Sequence, residues 1–484
     1  VTSADGGVAA PGTAAAPGTA ASAAATTYWC DTLLVDGEVV PRVRLTVGAT
    51  GTVTGRIDDV PVATGDIRLS TVLPGLANAH SHAFHRALRG RTHDQGGDFW
   101  RWRDTMYAVA HTLTPELYLS LARAVFAEML VSGYTAVGEF HYLHHQPDGT
   151  PYPHAHAMER ALATAAREVG IRLVLLDTSY LAGGIDRPLG TEQRRFSDGS
   201  AAGWLARWAA LGATLEAEAA ARPDKAALVT LGAALHSVRA VPREAMREIL
   251  AGLPAGVPVH IHLSEQPQEN ADCLAAHGRS PTRLLADLGA LTVRLSVVHA
   301  THLDDADRRL LGDAGVTVVM CPSTEADLGD GVGPARALAA AGCPIALGSD
   351  QNAVIDPFLE MRGLEMGERL ASGSRGRFSP AALQRAAGPH GYAALGLGRA
   401  RLRPGDPADL VEVDAQSLRT LGGRPDQLVL TATAADVRRV IVAGRLVADT
   451  GRLVGTPAAA LAAAGSPAEL MRTALTALDA AGAA

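Results

Sequence analysis

The stretch LPGLANAHSHAFHR, Leu73 to Arg86, reads as a short apolar strand that runs into His-x-His. Side chains alternate faces along a strand, so His80 and His82, two apart, point the same way. Two imidazoles on one face are half of a zinc site, because each ring nitrogen can sit about 2 Å from a shared ion. An isolated His-x-His is equally well a pair of hydrogen-bonded core histidines. The rest of the chain decides between the two.

Outward from that stretch, the segment from about Thr71 to Leu397 alternates strands with helices. Apolar strand candidates begin at Leu73, Tyr134, Ile171, Leu228, Val257, Leu295, Val316 and Pro344, eight in all. Between them lie Ala/Leu/Arg/Glu-rich stretches of helical period, such as Pro115 to Ser132. Eight β/α units predict an α/β fold, a (β/α)8 TIM-like barrel, whose chemistry sits at the C-terminal ends of the strands. Polar residues gather at those ends: His80, His82, His141, His236, His262, Glu265, His299 and Asp350.

The flanks differ from the middle. Residues 27–70 are β-like, with Asp36-Gly37 as a hairpin turn, and a second β-rich segment returns within 398–455. Together they predict one small β-sandwich domain assembled from both ends around a barrel of residues 71–397. Residues 1–26 are Ala, Gly, Thr and Pro with almost no large apolar groups, and are expected to be disordered. The Ala-rich stretch 456–484 predicts a loosely packed or frayed helix near Ala468 to Leu478.

Composition narrows the function classes. A net charge of -7 on 484 residues gives no electrostatic case for nucleic acid or an acidic membrane. The four cysteines are scattered without C-x-x-C, which argues against a disulfide framework and against the zinc motif of cytidine-type deaminases. With no basic-then-apolar leader and no apolar run of membrane length, a soluble cytoplasmic protein is expected.

In VHIHLSEQ, His260 and His262 again share a strand face, and Glu265 follows three residues later. With His80, His82 and Asp350, one of these histidines completes a three-nitrogen, one-oxygen set; spacing leaves the choice open, although His262 lies nearer the strand end. Water held at such a site has a pKa of roughly 7 and becomes a nucleophile at neutral pH. Glu265 and His299 are candidates for moving protons between that water and a leaving group.

PGLANAHSH on the first strand, HxxE on the fifth, histidine on the sixth and SD on the eighth resemble the mononuclear deaminase branch of the amidohydrolase superfamily, from Tyr28 to about Leu453. That resemblance implies His80, His82, His262 and Asp350 as ligands of one zinc ion, with iron or manganese also suited to a His3Asp set. It implies that Glu265 shuttles protons while His299 and Asp350 position and deprotonate the water. It also implies a homodimer. Binuclear relatives need a carboxylated lysine at the end of strand four; here that strand ends in His236, and the only lysine, Lys225, precedes it.

FWRWRDTMY, EFHYLHH, HSVRAV, HLSEQ, VHATH and STEADLGDG are similar to the formimidoylglutamate deiminases of histidine breakdown. The similarity implies hydrolysis of N-formimidoyl-L-glutamate to N-formyl-L-glutamate and ammonia. It implies Arg103 and Arg239 as carboxylate binders, Tyr142 as a substrate contact and His236 facing the formimino end. Planar guanidinium groups suit a dicarboxylate. His85 stands where the family has glutamine, Asn352 where it has histidine and Asp327 where asparagine is common, and the loop Gly90 to Gly97 is short. His85 is a further candidate substrate contact. Asp327 is expected to point away from an anionic substrate, and His141, His144 and His145 to pack beside Tyr142 rather than hold a second metal. The alternative reading is a deaminase of a purine, pyrimidine or thioadenosine ring. An aromatic content of 4% and the paired arginines favour the open-chain dicarboxylate. A non-catalytic barrel scaffold is disfavoured because every ligand and proton-transfer residue is present.

Overall fold

The computed structural model describes residues 1, 25–93, 99–222 and 228–482. Most of the Ala/Gly/Thr/Pro tail expected over 1–26, part of the loop Gly90 to Gly97 and Lys225 lie outside the described residues. Eight parallel strands form the middle of the molecule in sequential order: β1 (Leu76–Ser81), β2 (Tyr134–His141), β3 (Arg172–Ser179), β4 (Val229–Ser237), β5 (Val259–Leu263), β6 (Leu295–His299), β7 (Thr317–Met320) and β8 (Ile345–Leu347). Most of their residues are buried, which explains why they read as continuous apolar runs rather than as alternating ones.

The first and last strands meet through a seam of polar groups. Ser81 bridges Asp350 in parallel; the Asp350 amide donates to His80 O at 3.0 Å and the His82 amide to Asp350 O at 2.9 Å. Beneath this bridge Asn78 Nδ2 donates to Ser349 Oγ (2.6 Å) and the Ser349 amide returns a bond to Asn78 Oδ1 (2.9 Å). A side chain at Gly348 would place its Cβ 2.7 Å from His80 O, so glycine is required where β8 approaches β1.

A second, mixed sheet uses both ends of the chain. Its order is Arg452–Leu453, Arg445–Asp449, Val437–Val442, Leu410–Val413, Ile67–Pro74, Thr26–Val35, Glu38–Val47 and Val53–Ile57. Asp36 and Gly37 both have positive φ, as the expected hairpin turn requires. Tyr28, Cys30, Val43 and Leu45 from the early strands share one apolar core with Leu410 and Ile441 from the late ones.

Two expectations need correction. LPGLANAH is not one strand: Ile67–Pro74 belongs to the mixed sheet and Leu76–Ser81 to the barrel. Gly75 is the joint, its amide bonded to Asp409 O at 2.8 Å, in a space where a Cβ would meet the Tyr392 hydroxyl at 2.4 Å. Nor is the Ala-rich end frayed. Helix Pro467–Ala480 opens on a Ser466/Glu469 capping box and buries Leu470, Ala474 and Leu478, a stripe at spacing four that docks on helix Pro115–Val131. Among the described residues no helix is long and apolar enough to cross a membrane.

Candidate metal centre and active site

The strand ends bring four of the expected ligands together. His80 Nε2 lies 3.1 Å from His262 Nε2 and 3.3 Å from Asp350 Oδ1, and His82 Nε2 lies 3.5 Å from the same oxygen. A tetrahedral ion with bonds near 2 Å has ligand-to-ligand edges of about 3.3 Å, so the separations suit one cation. The chemistry of the donors agrees. His82 Nδ1 donates to Phe140 O at 2.8 Å and His262 Nδ1 to His236 O at 2.9 Å, which leaves each Nε2 with its lone pair facing inward. Burial, reinforced by the neighbouring rings, holds His80 and His262 well below the usual imidazole range and His82 at about 3. They are therefore neutral and ready to ligate. His260 is elsewhere: its Nε2 bonds Ala394 O at 2.9 Å, so geometry selects His262 of the pair.

Backbone conformation at these strand ends is unusual. Ser264, His299, Ala300, Asp350 and Asn352 all have φ between 44° and 68° without being glycine. Such left-handed residues cost about 1–3 kcal/mol each and persist where the surroundings fix them. Here the fixing is visible. Asn352, in the position expected to carry histidine, donates from Nδ2 to His82 O (3.0 Å) and Ser81 Oγ (3.2 Å), and its Oδ1 accepts from Ser349 Oγ (2.6 Å). It locks the loop after β8 onto the His-x-His.

Glu265 and His299 face each other beside the cluster. His299 Nε2 is 3.8 Å from Glu265 Oε1 and 3.8 Å from Asp350 Oδ2. Burial by itself would lower the His299 pKa, but the carboxylates of Glu265, Glu325 and Asp350 outweigh it and push it up to about 10.

A cavity of about 600 Å³ opens above, with His82, His262, Glu265, His299 and Asp350 at its base. Arg103, Tyr142, His236, Arg239 and His85 all line it as well. Arg239 is half-buried; its Nε donates to Glu269 Oε2 at 2.9 Å, and an Nη lies 3.5 Å from Glu265 Oε2. Arg103, on helix Phe99–Thr112, places its guanidinium carbon 5.6 Å from the Tyr107 ring centre. His85 Nε2 is 3.1 Å from the Tyr142 hydroxyl, and its ring lies 4.4 Å from that of His82. Asp327 turns out of the cavity, with Oδ1 2.8 Å from His93 Nε2 and Oδ2 accepting from Gln351 Nε2 at 2.6 Å.

Two features escaped the sequence. Glu269, fully buried, accepts from the Ser264 amide (2.9 Å) as well as from Arg239, and so aims that arginine. Its signal was available in HLSEQPQE, one helical turn beyond Glu265. The second is aromatic: only 4% of the chain is aromatic, yet Trp102, Tyr107, Tyr142, Tyr180 and Phe196 all line this one cavity. Overall composition therefore does not exclude a ring substrate.

The histidine run is a separate cluster. His144 Nδ1 meets Glu159 Oε1 at 2.8 Å and its Nε2 meets Thr178 O at 2.8 Å; His145 Nε2 meets Asp198 Oδ1 at 2.9 Å. Arg207 joins Glu159 (3.1 Å), Asp177 (2.7 Å) and Asp198 (2.8 Å).

A parallel barrel with such a cradle at its C-terminal rim suits metal-assisted hydrolysis. The amidohydrolase family profile matches residues 71–447, and the chain belongs to that family. Among curated relatives, it is 37% identical over 430 residues to formimidoylglutamate deiminase of Pseudomonas aeruginosa, covering 86% of this chain and 92% of that one. It is 29% identical over 431 residues to 5-methylthioadenosine/S-adenosylhomocysteine deaminase of Halobacterium salinarum, covering 86% and 92%. Among solved structures, an amidohydrolase from Brucella melitensis superposes with a TM-score of 0.84 at 32% identity, over 94% of this chain and 99% of that chain. A zinc-bound adenosine deaminase from Xanthomonas campestris shares the fold, with a TM-score of 0.78 at 24% identity over 95% and 99%.

Proposed function

We propose that the protein hydrolyses N-formimidoyl-L-glutamate to N-formyl-L-glutamate and ammonia, with zinc in the His80/His82/His262/Asp350 cradle. The observation that carries this reading is the presence of Arg103 and Arg239 in the same cavity as the cradle. Two guanidinium groups suit the two carboxylates of formimidoylglutamate, and both are more weakly hydrated than an ammonium would be. The deiminase relative supports the same choice.

A cation held by His80, His82, His262 and Asp350 would supply Lewis acidity and lower the pKa of water. The remaining work falls to side chains. Water, oriented beside His299, whose Nε2 lies 3.8 Å from both Glu265 Oε1 and Asp350 Oδ2, adds to the amidine carbon and passes one proton through the Glu265 carboxylate to the imino nitrogen. The hydroxyl proton of the tetrahedral adduct passes through Asp350 to the same nitrogen, the carbon–nitrogen bond breaks, and ammonia leaves as the formyl C=O forms. Arg103 and Arg239 hold the carboxylates, and Tyr142 and His236 wall the reacting end.

The aromatic lining favours one second reading, deamination of a purine, pyrimidine or thioadenosine ring. Ammonia release by zinc-loaded protein from formimidoylglutamate, set against guanine, cytosine and S-adenosylhomocysteine, separates the two. Turnover of a ring compound in preference to formimidoylglutamate would replace the first reading with the second. Within the first reading, Arg239→Met raises KM for the dicarboxylate by roughly tenfold or more, the loss of a charge-assisted hydrogen bond.

A further inference from the structure

STEADLGDG, residues 323–331, contributes only Leu328 to the cavity lining, yet it carries a carboxylate that the chemistry above leaves unused. Glu325 lies in helix Pro322–Leu328, directly after β7, and is 5% exposed. Its Oε1 accepts from the Cys321 amide at 2.9 Å and lies 3.5 Å from His299 Nδ1. Among the described residues no arginine comes within ion-pairing distance of it, so His299 is its one basic neighbour there. A buried carboxylate is expensive unless it is matched by a partner.

His299 needs such a partner. It sits at φ 68° and is 1% exposed; its Nδ1 is buried without a hydrogen bond among the described residues, and Glu325 Oε1 lies 3.5 Å from it. The opposite nitrogen faces Glu265 and Asp350. Bonds of this type are commonly long in the free enzyme and tighten when substrate binds. The helix itself is clamped. The Ser323 amide donates to Glu360 Oε2 at 3.1 Å, and Thr324 Oγ1 donates to Ser349 O at 3.3 Å, beside Asp350.

We infer that Glu325 is a positioning residue: by accepting from His299 Nδ1–H it fixes the ring's orientation and keeps Nε2 turned toward the reacting water. A carboxylate behind an imidazole, holding one nitrogen so that the other is aimed and the charged ring is stabilised, is the logic of catalytic triads. The inference rests on the hydrolytic reading above but not on the identity of the substrate.

The test is a double-mutant cycle on zinc-loaded protein, using whichever of the four compounds the wild type turns over. Glu325→Gln lowers kcat roughly tenfold or more with KM and bound zinc unchanged, and Glu325→Asp recovers part of the loss. In a His299→Asn background, Glu325→Gln has no further effect, whereas a residue that merely supports the fold would multiply the loss again. Ring-nitrogen NMR of histidine-labelled, metal-free protein gives a readout without turnover: the His299 signal, identified by its loss in His299→Asn, shifts in Glu325→Gln. An unchanged His299 signal, or an additive loss in the double variant, overturns the inference. A wild type inert toward formimidoylglutamate but active on a ring compound sinks the substrate assignment and leaves the Glu325 cycle to be read on that compound.

Discussion

Two histidine–carboxylate clusters lie near the barrel's C-terminal rim, and an arginine joins the carboxylates of only one of them. At the ends of β1, β5 and β8, three neutral imidazoles and Asp350 point at a common centre, and among the described residues each ion pair of Asp350 is with a histidine. Beside β2 and β3, His141, His144 and Glu159 also approach one another closely enough to suggest a metal. That position is already served by a cation, because Arg207 bonds Glu159, Asp177 and Asp198 together. His144 has both nitrogens engaged; burial works against its charged form, but Glu159 and Asp177 prevail and raise its pKa. Ligand types in proximity do not define a metal centre. What separates the clusters is whether an arginine already binds the carboxylates.

The difference can be broken at either end. The largest effect is expected from His262→Ala, which reduces bound metal from one equivalent per chain to near zero and turnover to background, while His141→Ala leaves both intact; plasma emission spectrometry measures the metal. Two tightly held equivalents in the wild type would erase the contrast. Next, Glu265→Gln lowers kcat by about 10²–10⁴-fold with zinc retained, as steady-state kinetics and metal analysis together reveal. In the second cluster, Arg207→Met strands three buried carboxylates and lowers unfolding stability by about 3–5 kcal/mol, measured in urea, with KM unaffected. A shift in metal stoichiometry instead would mean that Arg207 excludes an ion from that cluster.

The smallest effect depends on pH. The folded-state pKa of His144 is raised above its ordinary 6.5, so its contribution to stability is complete below that value and fades as pH rises through the folded value. The stability gap between wild type and His144→Gln is therefore larger at about pH 6 than at about pH 9. Equal gaps at both would show that the imidazole is not charged in the folded protein.

The barrel was legible because strands buried on both faces leave continuous apolar runs, and its candidate ligands because they sit at the ends of those runs. The break at Gly75 was not, since Pro74 and Leu76 are equally apolar and only the pairing partner differs. His260 and His262 are equivalent by spacing; Ala394, far away in the chain, tells them apart. Glu269 and Glu325 were passed over for the same reason, as each acts through a residue from another strand or helix. The C-terminal helix looked weak because alanine hides an apolar stripe, and its docking surface lies on Pro115–Val131.

The mixed sheet has a consequence for biogenesis. Strand Ile67–Pro74 lies between Thr26–Val35, made just before it, and Leu410–Val413, made only after every barrel strand has left the ribosome. One edge of that strand thus stays bare throughout translation of the barrel, and a nascent chain interrupted before Leu410 exposes it as a template for strand addition. The stretch from Leu410 onward acts, in effect, as the cover that a ribosome delivers late.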